Sequence, residues 1–323
     1  MLSGDCYPIV IELMRRVYVF TLARLLRVKQ STEFALSPVS SGSLPSADLR
    51  CPGKLIRDAC VFGGRTVLCL ALVAAASALP ASADEAVERY RSVMITDMGR
   101  ALEGAKALRE RLAANDIPGA KQAWIDARVG WERSEVFTSA FIPDLDDAID
   151  AWPGASSGFH GIEAKLFGAG RTDVGDATDG LVRDLTAADK QVHEMPLTRQ
   201  GLLNGLARLA YEIGDSKVDG GESRLSGTSL DDMRNNADGI EVAYGMLFAS
   251  ALAAADAKLD AQVRGEISRL KALLAAKDLR SIDPEQLQKA SERLVLTLSA
   301  AALKLGLETP TLEGGPTFTG AGQ

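Results

Sequence analysis

The stretch VERYRSVMITDMGRALEGAKALRERL, residues 87–112, decides the fold class. Its apolar residues recur every three or four positions, which places them on one side of an α-helix about seven turns long. This line consists of Val87, Tyr90, Met94, Met98, Ala101, Ala105, Leu108 and Leu112. A helix with one apolar face must bury it against a neighbour, so the pattern predicts a protein built of packed helices.

The same period continues along the rest of the chain. A second helix is predicted after Pro118, and later ones over residues 181–194, 197–213, 230–254, 259–276 and 284–305. Apolar and polar residues do not alternate with period two for long enough to predict a strand. We therefore predict an all-α helical bundle, with two four-helix units side by side and a flexible tail over residues 309–323.

Residues 54–83 have the organisation of a secretory signal peptide. Basic residues precede an almost wholly apolar run over residues 67–79, and Ala81-Ser82-Ala83 supplies the small residues of a cleavage site. We expect cleavage after Ala83 and a periplasmic location. A retained membrane anchor is the alternative, although the apolar run is shorter than the roughly 20 residues that span a bilayer.

Residues 1–53 hold a second apolar and basic run, and we interpret them as an extension upstream of the true translation start. All four cysteines precede residue 84, so the predicted mature domain, residues 84–308, needs no disulfide. The full chain carries a net charge of −7, and residues 1–83 contain more basic than acidic residues. The acidic remainder should repel anionic polymers and lipids, so we expect neither nucleic-acid binding nor stable membrane insertion.

The motif GFHGIE, residues 158–163, is the strongest candidate for chemistry. His160 and Glu163 share one helix face, and an imidazole beside a carboxylate forms half of a transition-metal site. Glu135 falls on the buried line of the preceding helix, where an unpaired charge is costly. The Asp-rich loop over residues 141–157 joins the two helices, so these elements should be neighbours in space.

We predict that Glu135, one loop aspartate, His160 and Glu163 converge on one cation, with Glu132 as the second choice for Glu135. Three carboxylates and one imidazole suit iron, zinc or manganese, and ferric or ferrous iron is our first choice. Two other polar features have simpler explanations. We interpret His193 as a surface histidine and Asp231-Asp232 as a charge pair at a helix start.

Three successive blocks resemble motifs of the imelysin-like family, which includes imelysin metallopeptidases and the periplasmic iron-uptake proteins EfeO and EfeM. The blocks are WERSEVF at 131–137, IDAWP at 149–153 and GFHGIE. Without a cupredoxin domain before the helices, the chain is most similar to the short EfeM type. The resemblance implies a helical fold and a metal site made of Glu135, Asp150, His160 and Glu163.

A fourth block, residues 217–239, is similar to an EfeO-type pattern. Glu222, Asp232 and Asn236 match that pattern and form a second candidate block. Three positions depart from it, namely Ser223, Leu225 and Ser229. The role that the resemblance implies for this block is therefore left open.

The resemblance implies two main classes of function. An iron-binding protein would capture the cation and pass it to a membrane permease, with a haem peroxidase as a further partner in the same system. A zinc peptidase would need an open metal position and a general base, and the chain lacks the HExxH motif that often supplies both. We therefore favour binding over catalysis, with polysaccharide binding as a third class.

Overall fold

The computed structural model describes residues 83–150, 154–218 and 222–312, and these contain nine α-helices and no strand. The helices are α1 (Ala83–Ala113), α2 (Ile117–Phe141), α3 (Pro143–Ile149), α4 (Gly158–Glu163), α5 (Gly175–Glu194), α6 (Arg199–Gly214), α7 (Ser229–Leu247), α8 (Ala249–Leu274) and α9 (Pro284–Lys304). The all-α prediction is confirmed. The predicted extension, the signal peptide before Ala83 and residues 313–323 of the predicted tail lie outside the described residues.

Helix α1 buries the line of apolar residues that its sequence predicts. The seven members from Val87 to Leu108 are almost fully buried, and Leu112 is partly buried at the end of the helix. They belong to one continuous hydrophobic cluster to which all nine described helices contribute. The finer prediction of two separate four-helix units is not confirmed.

Helices α1 and α2 form a tight antiparallel hairpin. The turn places Asn115 at φ +56°, and the Asp116 carboxylate then accepts a hydrogen bond from the backbone N–H of Gly119 at 3.0 Å. This bond satisfies one of the free donors at the start of α2. A side chain at Gly130 would lie 2.3 Å from the carbonyl oxygen of Asp97, so the close approach of the helices requires glycine there.

Helix α2 is the central helix of the fold. It packs against α1, α6 and α7, and its second half is almost completely buried. Helix α7 comes so close that a Cβ at Gly239 would lie 2.7 Å from the carbonyl oxygen of Arg133. Polar side chains on this half of α2 are therefore cut off from bulk water and must find partners within the protein.

The segment predicted as a loop between α2 and the histidine motif contains a short helix, α3. Pro143 occupies the first turn of α3, where its missing N–H is not needed, and Ile149 is fully buried. Ser157 occupies the N-cap position of α4, but its side chain makes no capping hydrogen bond. The π-helical turn Ala164–Ala169 continues directly from α4 and ends at Gly170, at φ +64°.

The predicted helix over residues 230–254 is wrong at its end. The chain bends by 95° between α7 and α8, at Phe248, whose side chain is buried in the core. The predicted break after residue 254 is instead a kink inside α8 at Asp256, whose carboxylate accepts a hydrogen bond from the Leu259 N–H at 3.1 Å. Among the described residues, only the bent pair of α7 and α8 together has the length and apolar character of a membrane span, and no single helix does.

Candidate metal centre

Helix α2 supplies three charged residues to one buried cluster. Arg128, Glu132 and Glu135 follow one another at intervals of four and three, so they share a helix face, and their exposed fractions are 1%, 0% and 6%. The Arg128 guanidinium forms ion pairs with Glu132 and Asp150, and a third with Asp232 at 3.0 Å. One cation therefore connects α2 with the end of α3 and with the first turn of α7.

The ends of α3 and α4 bring a carboxylate to each side of the His160 ring. Nε2 of His160 is 3.4 Å from Oδ1 of Asp150, and Nδ1 is 3.2 Å from Oε2 of Glu163. The other oxygen of Glu163 accepts hydrogen bonds from the backbone N–H and the hydroxyl of Ser226, at 2.7 and 2.8 Å. The HxxE pair is thus held in place by the segment that precedes α7.

A lysine from the turn after α6 lies among three carboxylates of the cluster. Nζ of Lys217 is 3.0 Å from Oε2 of Glu132, 3.0 Å from Oε2 of Glu135 and 3.2 Å from Oε2 of Glu222. The amide nitrogen of Asn236 donates to the same oxygens of Glu132 and Glu135, both at 2.7 Å. Residues separated by about a hundred positions in sequence therefore share one hydrogen-bond network.

Two groups of side chains have ligand atoms close enough together to hold a metal ion. One consists of Asp150, His160 and Glu222, and the other of Glu132, Glu135 and Asp150. Within each group all ligand atoms lie within 4.8 Å of one another. Glu163 belongs to neither group, because it contacts the opposite nitrogen of His160. Metal binding by these residues stays a prediction, although the fold brings the four predicted ligands and the second block into one cluster.

Asp231 and Asp232 both lie in the first turn of α7, as the interpretation of a charge pair at a helix start requires, but their surroundings differ. Asp231 pairs with Arg234 at 2.7 Å near the surface, whereas Asp232 is buried and pairs with Arg128. Helical phase explains the difference, because neighbouring residues point about 100° apart. The interpretation of His193 as a surface histidine is confirmed, since its side chain is half exposed and its nearest acidic group, on Asp189, is 4.0 Å away.

Two important residues of the cluster, Arg128 and Lys217, are absent from the sequence prediction. Arg128 had a detectable signal, because it precedes Glu132 by one helical turn on the buried line of α2. Its guanidinium lies 5.8 Å from the Trp124 ring centre and 5.2 Å from that of Phe159, an arrangement that favours a cation. Lys217 begins the fourth motif block, but no periodicity indicated that it is buried, because it follows the end of α6 in an irregular segment.

Negative charge in the cluster exceeds positive charge. Six carboxylates are buried or nearly so, belonging to Glu132, Glu135, Asp150, Glu163, Glu222 and Asp232. Among the described residues, the cations that pair with them inside the cluster are Arg128, Lys217 and, when protonated, His160. Buried charge of one sign is costly, so the cluster must take up protons or a further cation.

The pKa values of the acids show how the cluster shares its charge. Burial, together with the neighbouring Glu132 carboxylate, raises the pKa of Glu135 well above its ordinary value despite the attraction of Lys217. Burial also opposes ionisation of Asp150, yet Arg128 and His160 hold its pKa well below the ordinary value. Asp150 is therefore the carboxylate most strongly kept in its charged form.

His160 and Asp232 titrate in unusual ranges. Burial alone would lower the pKa of His160, but Asp150 and Glu163 outweigh it and raise the pKa to about 9. Burial raises the pKa of Asp232 to about 7, although Arg128 acts in the opposite direction. In the metal-free cluster at neutral pH the imidazole is thus protonated, and the pKa of Asp232 is close to neutral pH.

Comparison with known proteins agrees with this fold and these motifs. The Imelysin family model matches residues 86–156 and 154–305. An Efem/EfeO family lipoprotein of Staphylococcus haemolyticus is 28% identical over 209 residues, which cover 60% of this chain and 71% of that protein. The iron uptake system component EfeO of Escherichia coli K12 is 28% identical over 200 residues, 59% of this chain. The match covers 53% of EfeO, so this chain spans about half the length of that relative.

A solved structure shares the fold at lower sequence identity. The crystal structure of a protein described as an iron-regulated protein A precursor, from Parabacteroides distasonis, superposes with a TM-score of 0.54 and 16% identity. The superposition covers 71% of this chain and 97% of that chain. The resemblance inferred from the motif blocks is confirmed. Because the Imelysin family model matches well over half of the residues of this chain, the chain belongs to the imelysin family.

Proposed function

We propose that this protein is a metal-binding component of an iron-uptake system and that its cargo binds in the buried acidic cluster. The observation that carries the proposal is the excess of buried carboxylates over positively charged side chains. Such an excess is stable only when protons or a bound cation balance it. A cation of charge +2 or +3 would balance several carboxylates at once.

The ligand atoms best placed for a cation surround Asp150. Asp150 belongs to both groups: one adds a ring nitrogen of His160 and a carboxylate oxygen of Glu222, and the other adds oxygens of Glu132 and Glu135. Nε2 of His160 is buried and makes no well-aligned hydrogen bond within the described residues, although Asp150 lies 3.4 Å away. A buried ring nitrogen in that state supports metal ligation, because buried polar atoms otherwise find a hydrogen-bond partner.

Glu163 acts in this proposal through His160 and not as a direct ligand. Its carboxylate faces Nδ1 of the ring and can accept the proton that this nitrogen carries. Such a bond fixes the tautomer in which Nε2 keeps its lone pair, and it also orients the ring. Ser226 holds the carboxylate in position with two hydrogen bonds, which makes the orientation rigid.

The ligand set favours a hard or borderline metal ion. Carboxylate oxygens with a single imidazole suit iron, manganese and zinc, and no sulfur ligand lies in the described cluster. Iron is our choice because relatives are named as iron uptake system components. In this proposal the protein works outside the cytoplasm and passes iron to a membrane permease, with a haem peroxidase as a second partner.

The enclosed geometry favours binding over peptide hydrolysis. The side chains of His160, Asp150 and Glu222 are at most 10% exposed. A peptidase must admit a polypeptide to its metal and keep one metal position open for water. A small cation can enter such a cluster by side-chain motion alone, whereas a peptide bond cannot.

Anaerobic titration of the chelator-treated full chain with Fe²⁺ tests the proposal, with bound metal measured by mass spectrometry. We expect about one ion per wild-type chain, and affinity at least about tenfold weaker in His160→Ala and Asp150→Asn. His193→Ala is the matched control, because it removes the exposed imidazole, and it should bind like the wild type. Unchanged affinity in both cluster variants would reject the site. Chelator-sensitive cleavage of a denatured protein substrate would instead favour a peptidase.

A further inference from the structure

Lys217 contacts carboxylates from both groups of residues that could hold a metal ion. Its ammonium lies 3.0 to 3.2 Å from Glu132, Glu135 and Glu222, and these three residues take part in the two groups able to hold a metal. The residue is 3% exposed, so water screens these contacts little. A lysine ammonium is a compact point charge, and here it accepts the same oxygen-rich surroundings as a metal cation.

We propose that Lys217 is the affinity-setting residue of the centre, an internal counter-ion whose ammonium competes with the metal for the carboxylates. The inference rests on the proposed function. In the metal-free protein, Lys217 neutralises part of the acidic cluster and stabilises the fold. On metal binding, its ammonium leaves Glu132, Glu135 and Glu222, and the metal takes its place.

The other buried cation, Arg128, cannot play this part. It lies in the middle of α2, its guanidinium contacts the rings of Trp124 and Phe159, and three carboxylates hold it in different directions. A planar guanidinium held in this way is positioned rigidly. Arg128 therefore stays as the fixed framework of the cluster.

The position of Lys217 in the chain allows its movement. It follows the end of α6 in a turn, and its backbone N–H bonds to the carbonyl of Glu212 at 3.0 Å. The four-carbon side chain can change rotamer without disturbing that backbone bond. Competition between the Lys217 ammonium and the metal lowers the affinity for metal. In a carrier, the same ammonium would help to release the bound metal ion.

Comparison of Lys217→Met with the wild type tests the inference by the sign of the change. We expect affinity for Fe²⁺ under anaerobic conditions, and for Zn²⁺ as a redox-inert second probe, to be at least about tenfold tighter in the variant. Lys217→Arg keeps the charge and should show no tightening. Lys190→Met, which removes an exposed lysine, is the matched control and should bind like the wild type.

A second measurement uses only the wild-type full chain, so it stands even if Lys217→Met does not fold. The amine-acetylation rate at Lys217, followed by mass spectrometry, should be low without metal and rise at least about tenfold when Zn²⁺ is bound. Two results would overturn the inference and leave the proposed function intact, provided that the wild type binds metal. One is an affinity of Lys217→Met that is equal to or weaker than that of the wild type, and the other is an acetylation rate at Lys217 that does not rise when Zn²⁺ binds. Absence of binding in both the wild type and Lys217→Met would overturn both.

Discussion

Helices α1 and α2 pack against each other along their length, yet of the two only α2 buries charged side chains. The buried face of α1 carries apolar residues such as Met98 and Leu108, whereas α2 buries Arg128, Glu132 and Glu135 in addition to its apolar residues. Apolar burial stabilises a fold without further requirement, but buried charge is costly unless partners surround it. In the proposed function, α1 therefore contributes stability, and α2 contributes side chains of the metal centre as well.

The largest effect should come from removing the fixed cation of α2. Arg128→Met would leave Glu132, Asp150 and Asp232 without their shared partner, so we expect the free energy of unfolding of the metal-free protein to fall by about 3–5 kcal/mol. Urea unfolding measures this change. Arg89→Met removes an exposed pair with Glu85 and should change stability by no more than about 1 kcal/mol. Equal effects of the two variants would contradict the difference between buried and exposed charge.

A core truncation in α1 should destabilise the protein without changing its chemistry. Leu108 is fully buried, and Leu108→Ala should lower the free energy of unfolding by about 2–5 kcal/mol, because it removes packed methyl groups and leaves a cavity. The affinity for Fe²⁺ of the folded variant should be unchanged. Leu303→Ala, at an exposed position of α9, is the matched control for stability. A large loss of metal affinity in Leu108→Ala would show that α1 shapes the centre as well.

Substitution of Glu163, the residue that orients His160, should weaken metal binding without abolishing it. In Glu163→Gln the bond to Nδ1 loses its charge, so we expect affinity for Fe²⁺ to fall by about 10- to 100-fold with unchanged stoichiometry. Anaerobic titration measures the shift. Glu103→Gln, at an exposed position of α1, should bind like the wild type. A loss of stoichiometric binding would indicate that Glu163 is a direct ligand, as the family resemblance implies.

The pH dependence should run in opposite directions for the stability of the fold and for metal binding. The pKa of His160 is raised from 6.5 to about 9, so its charged form stabilises the metal-free fold fully below pH 6.5. That contribution is lost as pH rises towards 9. Metal binding must displace the proton from Nε2, so affinity should increase by about tenfold per pH unit across the same window and then level off.

Titration with Zn²⁺ at several pH values between 6.5 and 9 measures this dependence. Asp232, with a pKa of about 7, changes the cluster charge in the same direction at the lower end of the window. His160→Asn should remove most of the dependence above pH 8. A flat affinity in the wild type across the window would contradict ligation through His160.

Periodicity predicted most helices well because it is a local property of the sequence. The apolar line of α1 is buried as predicted, and α9 begins at Pro284, the predicted start. The Asp283 carboxylate accepts hydrogen bonds from two backbone N–H groups there. The bend at Phe248 was missed, since no glycine or proline marks it at that position. A buried aromatic ring in the core holds it, and such tertiary packing leaves little trace in local sequence.

The candidate centre was predictable where its residues follow one another closely. His160 and Glu163 share a motif, and Glu135 and Asp150 lie on the two elements just before it. Lys217 and the buried state of Asp232 could not be inferred, because both depend on where α6 and α7 pack.

The sequence alone predicted a helical protein, its family and a site in which carboxylates lie near the His160 imidazole. These features are predictable because helical phase and motif spacing are properties of short segments. Only the packed helices show which partner each buried charge has. They also show that Glu163 contacts Nδ1 of His160, opposite Asp150, and that Lys217 lies among three carboxylates. Electrostatic interactions depend on distance in space and on exclusion of water, and neither is encoded in sequence separation.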